Sequence, residues 1–230
     1  MTTEAARPEG GIRAMRREER RQRLVRAARE LLSQGNGGFS MIELAGRAGL
    51  SLATPYNLFG SKSAILHAVF AAEVTGLRRS VEAADPHDPA RLALAVADRI
   101  AQVFARKPDF YRNLSRSLSG LGVEEMRGLV VPLGDSLLAP LVEAMARSGM
   151  IRPAMPHDVL VTQLAYAVNS MFVHWSVLDW PQQRLAAELR VGIAMTLLAA
   201  LTDPPRPAFT ATVDAVAGEL AALRSGVASE

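Results

Sequence analysis

A chain of 230 residues that is 49% hydrophobic and 21% charged can bury a sizeable core, which excludes a disordered or low-complexity protein. With no cysteine it also excludes a disulfide framework, a cysteine-based zinc site and a thiol nucleophile, and it fits a reducing cytoplasm. The net charge of +3 is unevenly spread, because residues 1–62 hold eleven Lys+Arg against six Asp+Glu and the remainder fifteen against seventeen, so a basic end adjoins a slightly acidic body. That end attracts polyphosphate with salt-dependent affinity, while the body argues against nucleic acid wrapping the whole molecule.

In chain order, residues 1–12 contain Pro8, Gly10 and Gly11 and no apolar run, so they read as a disordered basic arm lacking the hydrophobic segment of a secretory signal. A helix follows over 13–34, with Leu24, Ala27, Ala28, Leu31 and Leu32 as its inner stripe and arginines outside. Gly35-Asn36-Gly37-Gly38 stops it. Ser40 and Glu43 have the spacing of a capping box, Leu44, Ala45 and Ala48 share one face, and Gly49 can take the left-handed conformation that ends a helix. Ser51 is a second N-cap candidate, followed by two turns over Leu52–Leu58. Two short helices around a tight turn are the pattern of a helix-turn-helix, whose second helix enters the DNA major groove. Residues 13–62 therefore form a DNA-binding unit that runs on into a linking helix at 61–83, capped by Ser61, and 63–230 form a larger helical unit. The expected fold is all-α.

Beyond the break at residues 85–89, helices are expected at 89–106, 108–119, 122–148, 157–179, 182–202 and 208–224, the third kinked or split by Pro132 and Pro140. Val159–Leu178 lacks charge if His174 is neutral, which raises a membrane span. Thr162, Gln163, Asn169, Ser170 and Ser176 are poor for lipid and ordinary for a helix buried in a protein, so no membrane is expected. The adjacent segments 157–179 and 182–202 read as a homodimer interface built as a four-helix bundle.

Around its helix-turn-helix, over residues 20–70, the sequence resembles the TetR family of bacterial transcriptional regulators. The residues that carry the resemblance are Ala45, the turn Ala48-Gly49-Leu50-Ser51, then Thr54, Tyr56, Phe59-Gly60 and Ser61-Lys62. It implies an N-terminal three-helix DNA-binding domain joined by a fourth helix to a regulatory and dimerisation domain, and a homodimeric repressor on a palindromic double-stranded DNA operator. On that resemblance Tyr56 and Lys62 meet phosphate, Ser40 is a cap that touches phosphate, and Thr54 faces the groove. Leu52, Ala53 and Asn57 face bases or their flanks, and Ser51, Ser61 and Arg47 complete the DNA-facing set. The sequence departs from the commoner pattern at Leu52 and Ala53, which bring no hydrogen-bonding groups, at Leu58, where many members have histidine, and at Pro55 inside the recognition helix. Base reading then leans on thymine methyl groups, on Asn57 or on DNA shape. Phe39, Leu50, Phe59 and Phe70 read as core.

No catalytic or metal-binding motif emerges from His67, His87, His157 and His174, nor is there a glycine-rich phosphate loop or a nucleophile elbow, so an enzyme is not expected and no cofactor is implied. In the body, Phe104, Phe110, Tyr111, Met126, Met145, Tyr166, Met171 and Trp175 are candidates to line an apolar cavity for a small-molecule effector, with Tyr166, Asn169 and His174 orienting it. A neutral or weakly polar apolar ligand suits helices with no concentrated charge. A DNA-binding adaptor whose C-terminal half takes a protein instead, and a helical enzyme without a recognisable motif, stay open as alternatives.

Overall fold

Leu24, Ala27, Ala28 and Leu32 are all buried and define the inner face of helix α1 (Glu9–Gln34). The computed structural model describes residues 9–34, 38–82, 89–122, 134–178 and 180–224. Helix α1 starts four residues before the expected position 13, so residues 9–12, expected in the arm, are helical. The run of Arg, Glu, Ala and Met that follows is rich in strong helix formers and carries the helix back through Gly10 and Gly11. Residues 1–8 of the arm lie outside the described residues.

Helices α2 (Met41–Arg47), α3 (Ala53–Phe59) and α4 (Lys62–Glu82) follow, then α5 (Pro89–Arg106) and α6 (Pro108–Ser119), whose first residue is a proline, at the position where no backbone N–H is needed. The helix expected over 122–148, kinked or split at its prolines, is described over 134–147, where it changes from a π-helical turn to an α-helix. Residues 123–133, including Pro132 and Met126, lie outside the described residues, and Gly134–Leu138 is a π-helical turn. Helix α7 (Ala139–Arg147) then begins with Pro140 in its first turn, where the ring opens the helix instead of kinking it. Three helices complete the chain: α8 (His157–Leu178), α9 (Gln182–Leu198) and α10 (Arg206–Arg224). Helix α9 stops short of the expected residue 202, and residues 200–202 beyond its end pair with the loop after α7. Arg152 N–H donates to Ala200 O (2.9 Å) and Thr202 N–H to Met150 O (2.8 Å), beside an isolated antiparallel bridge of Ile151 with Leu201.

Helix α9 is the axis of the larger unit. Its Leu185, Ala187, Leu189, Ile193, Ala194 and Leu197 are buried, and it packs against α5, α8 and α10. Helix α6 lies between α8 and α1. A buried hydroxyl pair, Ser115 with Ser176 (2.7 Å), joins it to α8, and Asn113 Nδ2 donates to Leu32 O (2.9 Å) at the end of α1. The main hydrophobic core is one cluster running from Leu24 through Ile65, Leu66 and Val69 of α4 to Phe209 of α10, so the N-terminal helices share it with the body. Among the described residues no helix is long and apolar enough to cross a membrane.

Helix α10 is fastened by Phe209, which is fully buried in that core, and by Val216 and Leu220 packed with Ala187. Phe209→Ala is therefore expected to remove about 3–5 kcal/mol of stability, read as a lower urea midpoint with helix content in buffer unchanged.

Candidate nucleic-acid interface and inner cavity

The capping box expected at Ser40 is formed. The Ser40 hydroxyl accepts the Glu43 N–H (3.2 Å) and the Glu43 carboxylate accepts the Ser40 N–H (2.7 Å). Those bonds, the backbone one foremost, hold the Glu43 carboxyl below its ordinary range. Helix α2 ends at Gly49, whose φ of 62° is the left-handed turn expected of it. Ser51 does not cap α3 as expected. The chain turns helical at Leu52 and the Ser51 hydroxyl pairs instead with the Thr54 hydroxyl (2.8 Å). With α3 starting at Ala53, Pro55 is its third residue, buried, at a position whose N–H has no intrahelical acceptor in any case, so the proline costs no backbone bond. Ser61 caps α4 by accepting the Ala64 N–H (3.1 Å).

Seven residues make a helix too short to stand alone, and α3 is held from outside by α1. Arg21 donates to Leu58 O (2.6 Å) with its guanidinium 4.1 Å from the centre of the Phe59 ring, and Arg23 donates to Ala48 O (2.6 Å). Sequence reasoning placed these arginines outside; they brace the carbonyl ends of α3 and α2. Around this frame Ser40, Arg47, Ser51, Leu52, Ala53, Tyr56, Asn57, Ser61 and Lys62 are all exposed and Thr54 is half-buried. Tyr56 and Leu52 are large side chains left 51% open to solvent. Arg47 is engaged within the chain, donating to Gln34 Oε1 (3.0 Å) and lying 3.5 Å from a Glu30 carboxylate oxygen, and Lys62 Nζ lies 5.2 Å from the centre of the buried Phe39 ring. The face thus offers one amide, one phenol, hydroxyls and a cation around an apolar middle.

In the body, α4, α5, α6 and α8 enclose a cavity of about 30 Å³ walled by Phe70, Val74, Leu77, Ile100, Val103, Val168 and Phe172, together with Phe104, Tyr111, Asn169 and Glu73. The aromatic rings lie tilted against one another, Phe104 to Tyr111 at 4.8 Å and to Phe172 at 4.7 Å, with Trp175 stacked behind at 5.7 Å. Of the ligand candidates named from sequence, Phe104, Tyr111 and Asn169 reach this wall. Phe110 is buried and lines a separate cleft beside Arg26 and Arg29 on α1; Met145 is buried in the core, Met171 half-buried, and Tyr166 exposed. His174, also exposed, bonds the Ser170 carbonyl through Nδ1 (2.7 Å) and stacks on Trp180 at 5.8 Å. Phe70, read as plain core, is a cavity wall.

Glu73 escaped the sequence reading although a signal existed, since it falls on the apolar stripe of α4 between Val69 and Leu77. Its carboxylate accepts a hydrogen bond from Tyr111 Oη (2.6 Å) and lies 2.6 Å from Arg29 Nη2 of α1. Burial first and the neighbouring carboxylate second push the Tyr111 phenol far above its ordinary range, so it stays a donor. Among the described residues no three His, Asp or Glu side chains gather as a metal site.

No protein-family model and no curated protein matches the sequence. Solved structures do match. Thermus thermophilus FadR, a TetR-family repressor solved with lauroyl-CoA, superposes with a TM-score of 0.67 at 24% identity over 80% of this chain and 96% of that one. The chain has the TetR fold. RolR, solved with resorcinol, gives 0.66 at 16% identity over 86% and 95%, and SmeT, repressor of a Stenotrophomonas maltophilia multidrug efflux pump, 0.59 at 17% over 80% and 92%.

Within this TetR fold the capping box is local to α2, so Ser40→Ala is expected to lower stability by about 0.5–2 kcal/mol, measured as a reduced melting temperature. The increment due to Glu43 is present above the carboxyl's unfolded titration and lost as pH falls through its lowered one. The gap between Ser40→Ala and the parent should therefore narrow on acidification.

Proposed function

We propose that the chain is a homodimeric, sequence-specific DNA-binding transcriptional regulator of the TetR type, acting in the cytoplasm as a repressor that a small apolar effector releases. The observation that carries this reading is the helix-turn-helix face, where α3 presents Leu52, Ala53, Tyr56 and Asn57 outward between the hydroxyls of Ser40 and Ser61 and the Lys62 ammonium. Phosphate contacts from Tyr56, Lys62 and the α4 N-terminus would fix register, and Asn57 with the Leu52 and Ala53 methyl groups would read bases.

Dimerisation through α8 and α9 is supported by an exposed face without charge. Val159, Thr162, Gln163, Tyr166, Ser170 and Val177 of α8 and Met195 of α9 are open or half-open to solvent in the single chain. A two-fold contact there is isologous and presents two recognition helices to a palindromic site whose half-sites lie about 34–36 Å apart. The aromatic cavity supports a small-molecule effector.

Fragments selected by the protein from random duplex DNA and titrated across salt test the reading; affinity indifferent to both sequence and salt would refute it. Lys62→Ala is expected to weaken binding to all duplexes alike and to reduce the slope of log affinity on log salt by about 1, whereas Asn57→Ala changes the preference among sequences. Placing a charge on the bare α8 face with Tyr166→Arg is expected to shift sedimentation toward the monomer and to lower operator affinity with it.

A further inference from the structure

The cavity wall is hydrocarbon apart from three residues, and the strongest polar group among them is an anion. Glu73 is 13% exposed and borders the cavity, with Oε1 of its carboxylate 2.6 Å from Arg29 Nη2 and Oε2 accepting from Tyr111 Oη. Among the described residues no cation lines the cavity itself. Arg29 approaches Glu73 from outside, at the floor of a second cleft of about 300 Å³ between α1 and α6, where Arg26, Lys107 and Glu30 are its charged neighbours.

From this arrangement we infer that the effector is a lipophilic amine, an apolar body carrying one protonated nitrogen, which takes Glu73 from Arg29. This rests on the regulatory reading above and sharpens it, since the uncharged ligand expected from sequence leaves the carboxylate unused. A carboxylate in an apolar wall discriminates by charge. A cation gains a charge-assisted hydrogen bond, a neutral isostere gains none, and an anion meets repulsion without water to screen it. Space enforces the exchange, for about 30 Å³ is room for one or two waters, so an occupant must part α4 from α6 and α8 and thereby stretch the Arg29–Glu73–Tyr111 chain. With Glu73 taken, Arg29 is left beside Arg26 and Lys107, where Glu30, the one carboxylate lining that cleft among the described residues, is shared with Arg47, and α1 loses its charged hold on α4. The same α1 braces α2 and α3 through Arg23 and Arg21, so the loss reaches the DNA-reading face.

Three probes of one shape test this on the full chain: 2-phenylethylamine, neutral 2-phenylethanol and anionic 3-phenylpropanoate, each scored by calorimetry and by release of a selected duplex. The amine is expected to bind about ten- to a hundredfold more tightly than either partner and alone to release DNA. In Glu73→Gln, which keeps an acceptor for Tyr111 and loses the charge, that preference should vanish. In Arg29→Gln, which removes the competitor, the amine should bind more tightly than in the parent, where an arginine of merely structural role would leave ligand affinity unmoved. Equal binding of the three probes, binding of none, release by the anion, or an amine preference surviving in Glu73→Gln would each overturn the inference. If the parent binds no duplex while the amine is still selected, the regulatory reading fails and the ligand assignment stands; if duplex is bound and the amine is not, the ligand assignment fails alone.

Discussion

A carboxylate set in an apolar wall has to be paired, and the pairing of Glu73 fixes how three helices meet. Leaving such an ion uncompensated costs several kcal/mol, so α4, which carries it, is bound to positions where Arg29 of α1 and Tyr111 of α6 can both reach it. Asn113 adds a neutral bond from α6 to the end of α1. Because the hydrophobic core also runs unbroken from α1 through α4 into the body, the angle of the N-terminal helices is set by the body as much as by themselves. The arginine ladder of α1 extends the constraint: Arg29 pairs with Glu73 from the cleft between α1 and α6, while Arg23 and Arg21 hold the carbonyl ends of α2 and α3. One helix thereby holds both the carboxylate that borders the inner cavity and the frame of the helix-turn-helix face.

That frame and that face obey different physics. The frame is made of satisfied backbone groups: a capping box, a left-handed glycine, a serine cap on α4 and two arginine-held carbonyls, with Pro55 placed where its missing donor matters least. The outward side of α3 has few polar groups to offer, and exposing Leu52 and Tyr56 to water is unfavourable unless something covers them. Apolar contact of this kind fits thymine methyl groups and groove shape better than a hydrogen-bond code. Arg47, tied to Gln34 and Glu30, must give up those partners before it can meet a phosphate.

What was legible in the sequence was local. Ser40 with Glu43, the turn at Gly49, the Ser61 cap and the inner stripe of α1 are decided within a few residues of chain, and these emerged as read. Ser51 misled because a nearer partner, the Thr54 hydroxyl, competes for it, while Pro140, read as a point of kinking or splitting, sits just past the junction of the π-helical turn with α7. The ion pairs were invisible for a different reason. Arg29 and Glu73 are forty-four residues apart in sequence, and only the packing of α1 on α4 brings them together. The aromatic candidates show the limit of periodicity: α8 is apolar on more than one side, so nothing in its spacing tells that Asn169 and Phe172 turn inward while Tyr166 turns out.

The near-closed cavity bears on how such a molecule could switch. Moving a two-state protein from 1:99 to 99:1 requires a ligand to favour one state by about 5.5 kcal/mol, and a ligand that fits both states equally moves nothing. A cavity of about 30 Å³ is too small for an organic molecule as it stands, so an effector of the kind proposed would bind an opened conformation. Opening separates aromatic rings now in contact and withdraws Glu73 from Arg29, both costs that a ligand must offset before any population shifts. An occupant that restores a partner to the carboxylate recovers the larger of these. On the proposal above, the carboxylate that ties α4 to α1 and α6 is also the group through which an occupant would open them.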